Sequence, residues 1–235
     1  MRDAFFALAE QLSPEQEAST PPAWALQNDF RLGRESLLEA EVISIASQID
    51  ALFLQREAKR REIEDEVSLR ALLFEKGPRL ERAVREALTI LGFDAQHFRD
   101  STSEFDAVFS SSEGRFLGEV EGRDTKSISI DKFSQLERNI SEDFSREGVT
   151  AFAQPVLFGN TFRNTMPSER GSFFTEKVLQ AAQRSGACLV RTPDLFEVAR
   201  YVRESGDDDF ARLCRQTMRD VKGEIALFPE IPSSI

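Results

Sequence analysis

The chain of 235 residues has one histidine, His97, two cysteines, Cys188 and Cys214, one tryptophan and one tyrosine. Each scarcity excludes chemistry. A single imidazole with no cysteine pair cannot build a His/Cys zinc site, a two-histidine metalloprotease helix or a histidine-rich nuclease motif. Cys188 and Cys214 lie in apolar or helical stretches and read as inert core thiols of a reducing compartment. No apolar run approaches the length of a membrane span. The opening MRDAFFALAE is too short and too acidic at its end for a secretory signal, so the expectation is a cytoplasmic chain without a membrane partner. Positive charge is also in deficit, with 30 Lys and Arg against 41 Asp and Glu, a formal net charge of −11. That balance argues against a purely electrostatic nucleic-acid binder, but it allows an enzyme that gathers divalent cations at a small acidic site.

Phenylalanine is abundant, at 20 residues, and with the aliphatic residues it suffices for one sizeable core plus an appendage. Residues 1–35 read as a short amphipathic helix followed by a linker, SPEQEASTPPAW. Over 36–74 a long helix or coiled coil is expected, about 58 Å if unbroken. Leu38, Val42, Ile45, Ile49 and Leu52 follow a 4-3-4-3 spacing that makes a seam. Arg56 and Lys59 interrupt it, and Ile63 and Val67 resume it. Two readings stand side by side: a homodimer through 36–74, and a helix packed on its own domain or folded back as a hairpin. Residues 75–235 alternate. Gly77-Pro78 opens a helix that Gly92 closes. Strands follow at 93–99, 104–110 and 115–121, a helix at 134–144, a strand at 153–160, a helix at 173–185, a strand at 187–192 and helices from 193 and 207. The pattern is an α/β sandwich with a mixed sheet.

The chemistry concentrates in EFDAVFSSSEGRFLGEVEGRDTK, residues 104–126. Taken as a hairpin with a loop at 111–114, it pairs Ser110 with Arg115, Val108 with Leu117, Asp106 with Glu119 and Glu104 with Glu121. One face is small and apolar (Phe105, Ala107, Phe109, Phe116, Gly118, Val120) and is expected to be buried. The other carries four carboxylates near its open end, where like charges repel. They are either solvated and paired with Arg115, Arg123 or Lys126, or gathered around a hard cation. The exit through Gly122 leads to Arg123 and Lys126, then to a helix bearing Lys132 and Gln135. Carboxylates with basic residues at one strand end suit phosphodiester hydrolysis. After the strand 153–160, Asn160, Arg163 and Arg170 are candidates for phosphate contact.

The order of helix with Leu80-Glu81, hairpin with Asp106 and Glu119-Val120-Glu121, Gly122 to Lys126, and helix with Gln135-Leu136 resembles the PD-(D/E)xK superfamily of restriction-endonuclease-like nucleases. The resemblance covers about 72–192, roughly half of the chain. It implies a restriction-endonuclease-like core and a magnesium- or manganese-dependent nuclease acting on DNA. It further implies a role in bacterial defence or repair, with a protein partner. It implies Asp106, Glu119 and Glu81 as metal ligands, joined by the Val120 carbonyl. Asp106, Glu119, Glu121 and Lys126 become the catalytic set, and Gln135 matches the family's supporting glutamine; with Arg123, Lys132 and Arg163, read from their own positions, it makes the expected nucleic-acid contacts. The lysine expected two residues after Glu119 is Glu121, and Lys126 is the nearest candidate for a moved lysine. The alternative is a nuclease-like module without activity that binds nucleic acid or a protein; a third reading is an acidic adaptor.

Overall fold

The computed structural model describes residues 20–99 and 103–232. The helix expected over 1–12, and the linker up to residue 19, lie outside them. The chain divides into two compact units, one up to Arg61 and one from Glu62.

In the first unit two 3-10 turns, Ala23–Leu26 and Asn28–Phe30, precede α1, Glu35–Val67. No glycine or proline interrupts α1, which is what a run this long requires, and none of its residues is buried. The helix expected to reach 74 stops at Val67. A 3-10 turn, Ser68–Arg70, and a short α2, Ala71–Phe74, follow it. At the break the Ser68 hydroxyl stands 2.6 Å from the Asp65 carbonyl and 2.7 Å from Glu86 Oε1, acceptors that draw the residue away from the regular helix ladder. Beyond it Leu69 and Leu72 turn into the core of the second unit.

That unit begins inside α1, at Glu62, and takes Leu69 and Leu72 into its core. Gly77, at φ 58°, turns the chain into α3, Pro78–Ile90. The sheet runs β1 (Asp94–Arg99), β2 (Glu104–Ser111), β3 (Gly114–Gly122), β4 (Gln154–Asn160) and β5 (Cys188–Arg191), in that spatial order. β1, β2 and β3 are antiparallel, while β3, β4 and β5 are parallel. The crossovers are α4 (Ile130–Phe144) and α5 (Glu176–Ser185), and α6 (Thr192–Ser205) and α7 (Asp208–Asp220) complete the unit. α5 starts later than expected because the backbone of Phe173 and Thr175 bonds Ile128 instead. Phe173 and Phe174 are buried core residues.

Two apolar layers enclose the sheet. One joins α3, α6 and α7 to Ala107, Phe109, Phe116, Val120, Phe158 and Val190. The other joins Phe133, Leu136 and Val178 to Leu117, Leu157 and Leu189. The expectation of a single buried hairpin face is thereby corrected: β3 is covered on both sides, as parallel strands between helices are. Both cysteines are fully buried, and burial pushes each thiol up to about 12. Among the described residues no helix is long and apolar enough to cross a membrane.

Candidate functional site

The hairpin keeps the expected register from Ser111 opposite Gly114 to Ala107 opposite Gly118. There the ladder ends. On the other edge of β2, Gln96 pairs with Val108 but Phe98 pairs with Phe105, so β2 carries one residue more than β1 at Asp106-Ala107. This bulge bends β2. It also moves Phe105 off the face expected from strict alternation and into the layer of Leu117, Phe133 and Leu136. Phe98 stacks on it with ring centres 5.2 Å apart.

The bulge re-aims Asp106. Its Oδ2 accepts the Val120 N–H at 2.9 Å, and its carbonyl accepts from Arg85 Nη1 at 2.6 Å. Asp106 therefore meets β3 through its side chain instead of through the ladder. Glu119 lies one residue earlier on β3, its side chain fully buried. The α4 ammonium of Lys132 donates to Glu119 Oε2 at 2.5 Å and to Asp106 Oδ2 at 3.2 Å. A longer contact, 3.4 Å, ties Lys132 to Gln135 Oε1. Asn139 Nδ2 donates to the other Glu119 oxygen at 2.5 Å. Lys132, Gln135 and Asn139 are spaced i, i+3, i+7, which places them on one face of α4.

Burial, then the charge of Asp106, pushes Glu119 up to about 7, against the pull of Lys132. For Lys132, burial works against the charged form, but Glu119 and Asp106 outweigh it and the ammonium is held above its usual range. Glu81, half-buried on α3, is also raised, by burial and then by the charge of Asp106. It therefore lies within the electrostatic field of the cluster. Among the described residues no three of His, Cys, Asp and Glu stand close enough together to hold a metal ion. The carboxylates at this point are Asp106 and Glu119, with the Gln135 amide oxygen beside them.

The other residues singled out in the sequence lie elsewhere. Glu121 pairs with Arg123 at 2.8 Å. Lys126 is exposed on the loop after β3, in a small polar depression with Lys76 and Asp124. Glu104 faces His97 and Arg99. Gly122 is needed by the backbone: a Cβ there would stand 2.7 Å from Lys76 Cα. Arg163 donates to Asp124 and to the Phe74 carbonyl. Arg170 donates to the Leu73 carbonyl and Asn160 to that of Glu75. These three side chains cap the C-terminal end of α2, where cations and donors are favoured. The cluster also includes Arg85 and Asn139, which the sequence reading did not name; the helical spacing from Lys132 was the available signal for Asn139.

No family model matches the chain, and no curated protein or solved structure matches it.

Proposed function

We propose that this protein is a divalent-metal-dependent phosphodiesterase of restriction-endonuclease-like fold that cleaves DNA. The observation supporting this reading is that Asp106 and Glu119 share the single ammonium of Lys132 at the C-terminal end of β3. Ligands of open α/β sheets bind at the carboxyl ends of the parallel strands. With Arg85 against Asp106 and Glu81 in the same field, three carboxylates stand against two cations, and that surplus of negative charge is a donor set that suits magnesium or manganese. Such ions take one or two carboxylates and complete their shell with water and phosphate oxygens. Asp106 and Glu119 would hold the ion, which when bound supplies Lewis-acid activation of water and charge neutralisation at phosphate. Lys132 holds its proton and presents it where phosphate charge develops, in the place of the strand lysine that Glu121 replaces. Asn139 fixes the Glu119 carboxylate, and Arg85 and the Val120 N–H fix Asp106. The reading carries over a role in a defence or repair system with a protein partner.

A second reading has its own support. Both Glu119 oxygens already accept hydrogen bonds, from Lys132 and Asn139, which suits a nuclease-like module that binds DNA or a protein without cutting. The test is cleavage of single- and double-stranded DNA with manganese, alongside melting curves with and without the ion. The hydrolase reading expects cleavage and a rise in melting temperature with manganese. Lys132→Gln is expected to lose cleavage and keep the rise. Neither cleavage nor a shift in the wild type overturns the hydrolase reading and leaves the binding module.

A further inference from the structure

Among the described residues nothing buries the apolar stripe of α1. Leu38, Val42, Ile45, Ile49 and Leu52 are between 44 and 64 % exposed, on a helix that buries none of its residues. A contiguous stripe of this kind on an unbroken helix marks an association surface. Its flanks carry opposite charge. Glu35, Glu39, Glu41 and Asp50 are the only charged residues from 35 to 50, and Arg56, Lys59, Arg60 and Arg61 outnumber Glu57 from 56 to 61.

We infer that the stripe is the seam of an antiparallel two-stranded coiled coil between two copies of this chain. The charges decide the direction. In a parallel, in-register pair each seam residue meets its own counterpart. Arg56 would face Arg56, Lys59 would face Lys59 and Glu35 would face Glu35, and like charges so placed destabilise. Antiparallel pairing about a two-fold axis at Ser47 removes all three conflicts. Ile45 then meets Ile49 of the second copy, Val42 meets Leu52, and Glu35 meets Lys59. Leu38 meets Arg56, whose methylene stem covers apolar surface while its head reaches water. Ala46 crosses its own counterpart near the axis, and its small side chain fits there. The acidic start of one helix thus lies along the basic run 56–61 of the other, short of the acidic residues that close α1 at 62–66, and the seam runs for about 36 Å. Nothing in this inference depends on the hydrolase reading.

The test uses the full chain. Sedimentation is expected to give twice the chain mass of 26.6 kDa; a monomer overturns the inference. Replacing Ile45 and Ile49 together with Lys is expected to weaken self-association at least about a hundredfold, and an unchanged mass overturns the seam. Orientation is read by oxidative cross-linking, the native Cys188 and Cys214 being buried. Val42→Cys and Leu52→Cys chains are expected to cross-link when unfolded and refolded together, and not when each is refolded alone. Efficient cross-linking of the Val42→Cys chain to itself establishes parallel pairing and overturns the antiparallel one. Absence of any cross-link in the mixture overturns the register. Lys59→Glu is expected to weaken association about fivefold, and Glu35→Lys in the same chain to restore it. Lack of restoration removes the charge argument and with it the inferred direction.

Discussion

α4 meets β3 at two buried carboxylates, and the two are built differently. Near the turn end of the hairpin, Asp143 is fully enclosed and accepts from both terminal nitrogens of Arg115 at 2.6 Å. Arg146 adds a third contact at 3.2 Å and lies over the Phe98 ring. One carboxylate there has two guanidinium partners, and its hydrogen bonds raise the Arg115 pKa. At the other end Glu119, equally enclosed, shares one ammonium with a second carboxylate. Burial alone does not separate a structural ion pair from a reactive site. The balance of charge differs: Asp143 has two guanidinium partners, whereas Asp106, Glu119 and Glu81 stand against Lys132 and Arg85, and the Glu119 carboxyl is perturbed.

The contrast is broken most severely through activity. If the proposed hydrolase reading holds, Asp106→Asn or Glu119→Gln is expected to lower manganese-dependent DNA cleavage by at least about a thousandfold, whereas Asp143→Ala leaves the rate of the folded fraction within about threefold. Single-turnover rates on purified, folded protein measure this. Equal losses at both positions erase the distinction.

Titration sharpens it next. Glu119 stands at about 7 in the folded chain against an ordinary 4.5, so the folded state holds that proton more tightly than the unfolded state does. Its contribution to stability is fully present below about pH 4.5 and is lost as pH rises through 7, about 3 kcal/mol in all. Urea unfolding from pH 4 to 8 is expected to show that decline in the wild type and a flatter profile in Glu119→Gln. The smallest of these effects falls at Asp143, the carboxylate with two guanidinium partners. Asp143→Ala is expected to destabilise the chain by about 2 kcal/mol, below the usual figure for a broken buried pair because Arg115 is a third exposed. Arg115→Ala is expected to cost more, since it strands the buried carboxylate with Arg146 alone.

The hairpin was legible because strand period and turn composition are local properties, but the expected cross-strand pairing of Asp106 with Glu119 was not, since the ladder ends at Ala107 opposite Gly118. Glu104–Ser111 and Gly114–Gly122 lie within a residue or so of their expected bounds. The bulge was not legible, because the position of the extra residue in β2 depends on how Phe98 in a third strand packs on Phe105. Lys132 was read as a nucleic-acid contact because sequence shows that a lysine lies on a helix, but not which way that helix is turned against the sheet. Glu121, two residues along from Glu119 by simple alternation, found Arg123 two residues further on instead. The carbonyls that hold Arg163 and Arg170 lie 89 and 97 residues away in the chain, beyond the reach of any local pattern. Both arginines therefore looked available for phosphate.

That cap after β4 has a consequence for how the second unit opens. The carbonyls of Leu73, Phe74 and Glu75 are taken by Arg170, Arg163 and Asn160. The turn of α2 therefore cannot unwind without releasing the 160–170 loop, and the loop cannot lift without uncapping the turn. Two segments distant in sequence thus share one opening reaction. Their backbone amides should exchange with deuterium at a common rate, and Arg170→Ala should accelerate both together while leaving the amides of β2 and β3 at their slower rate.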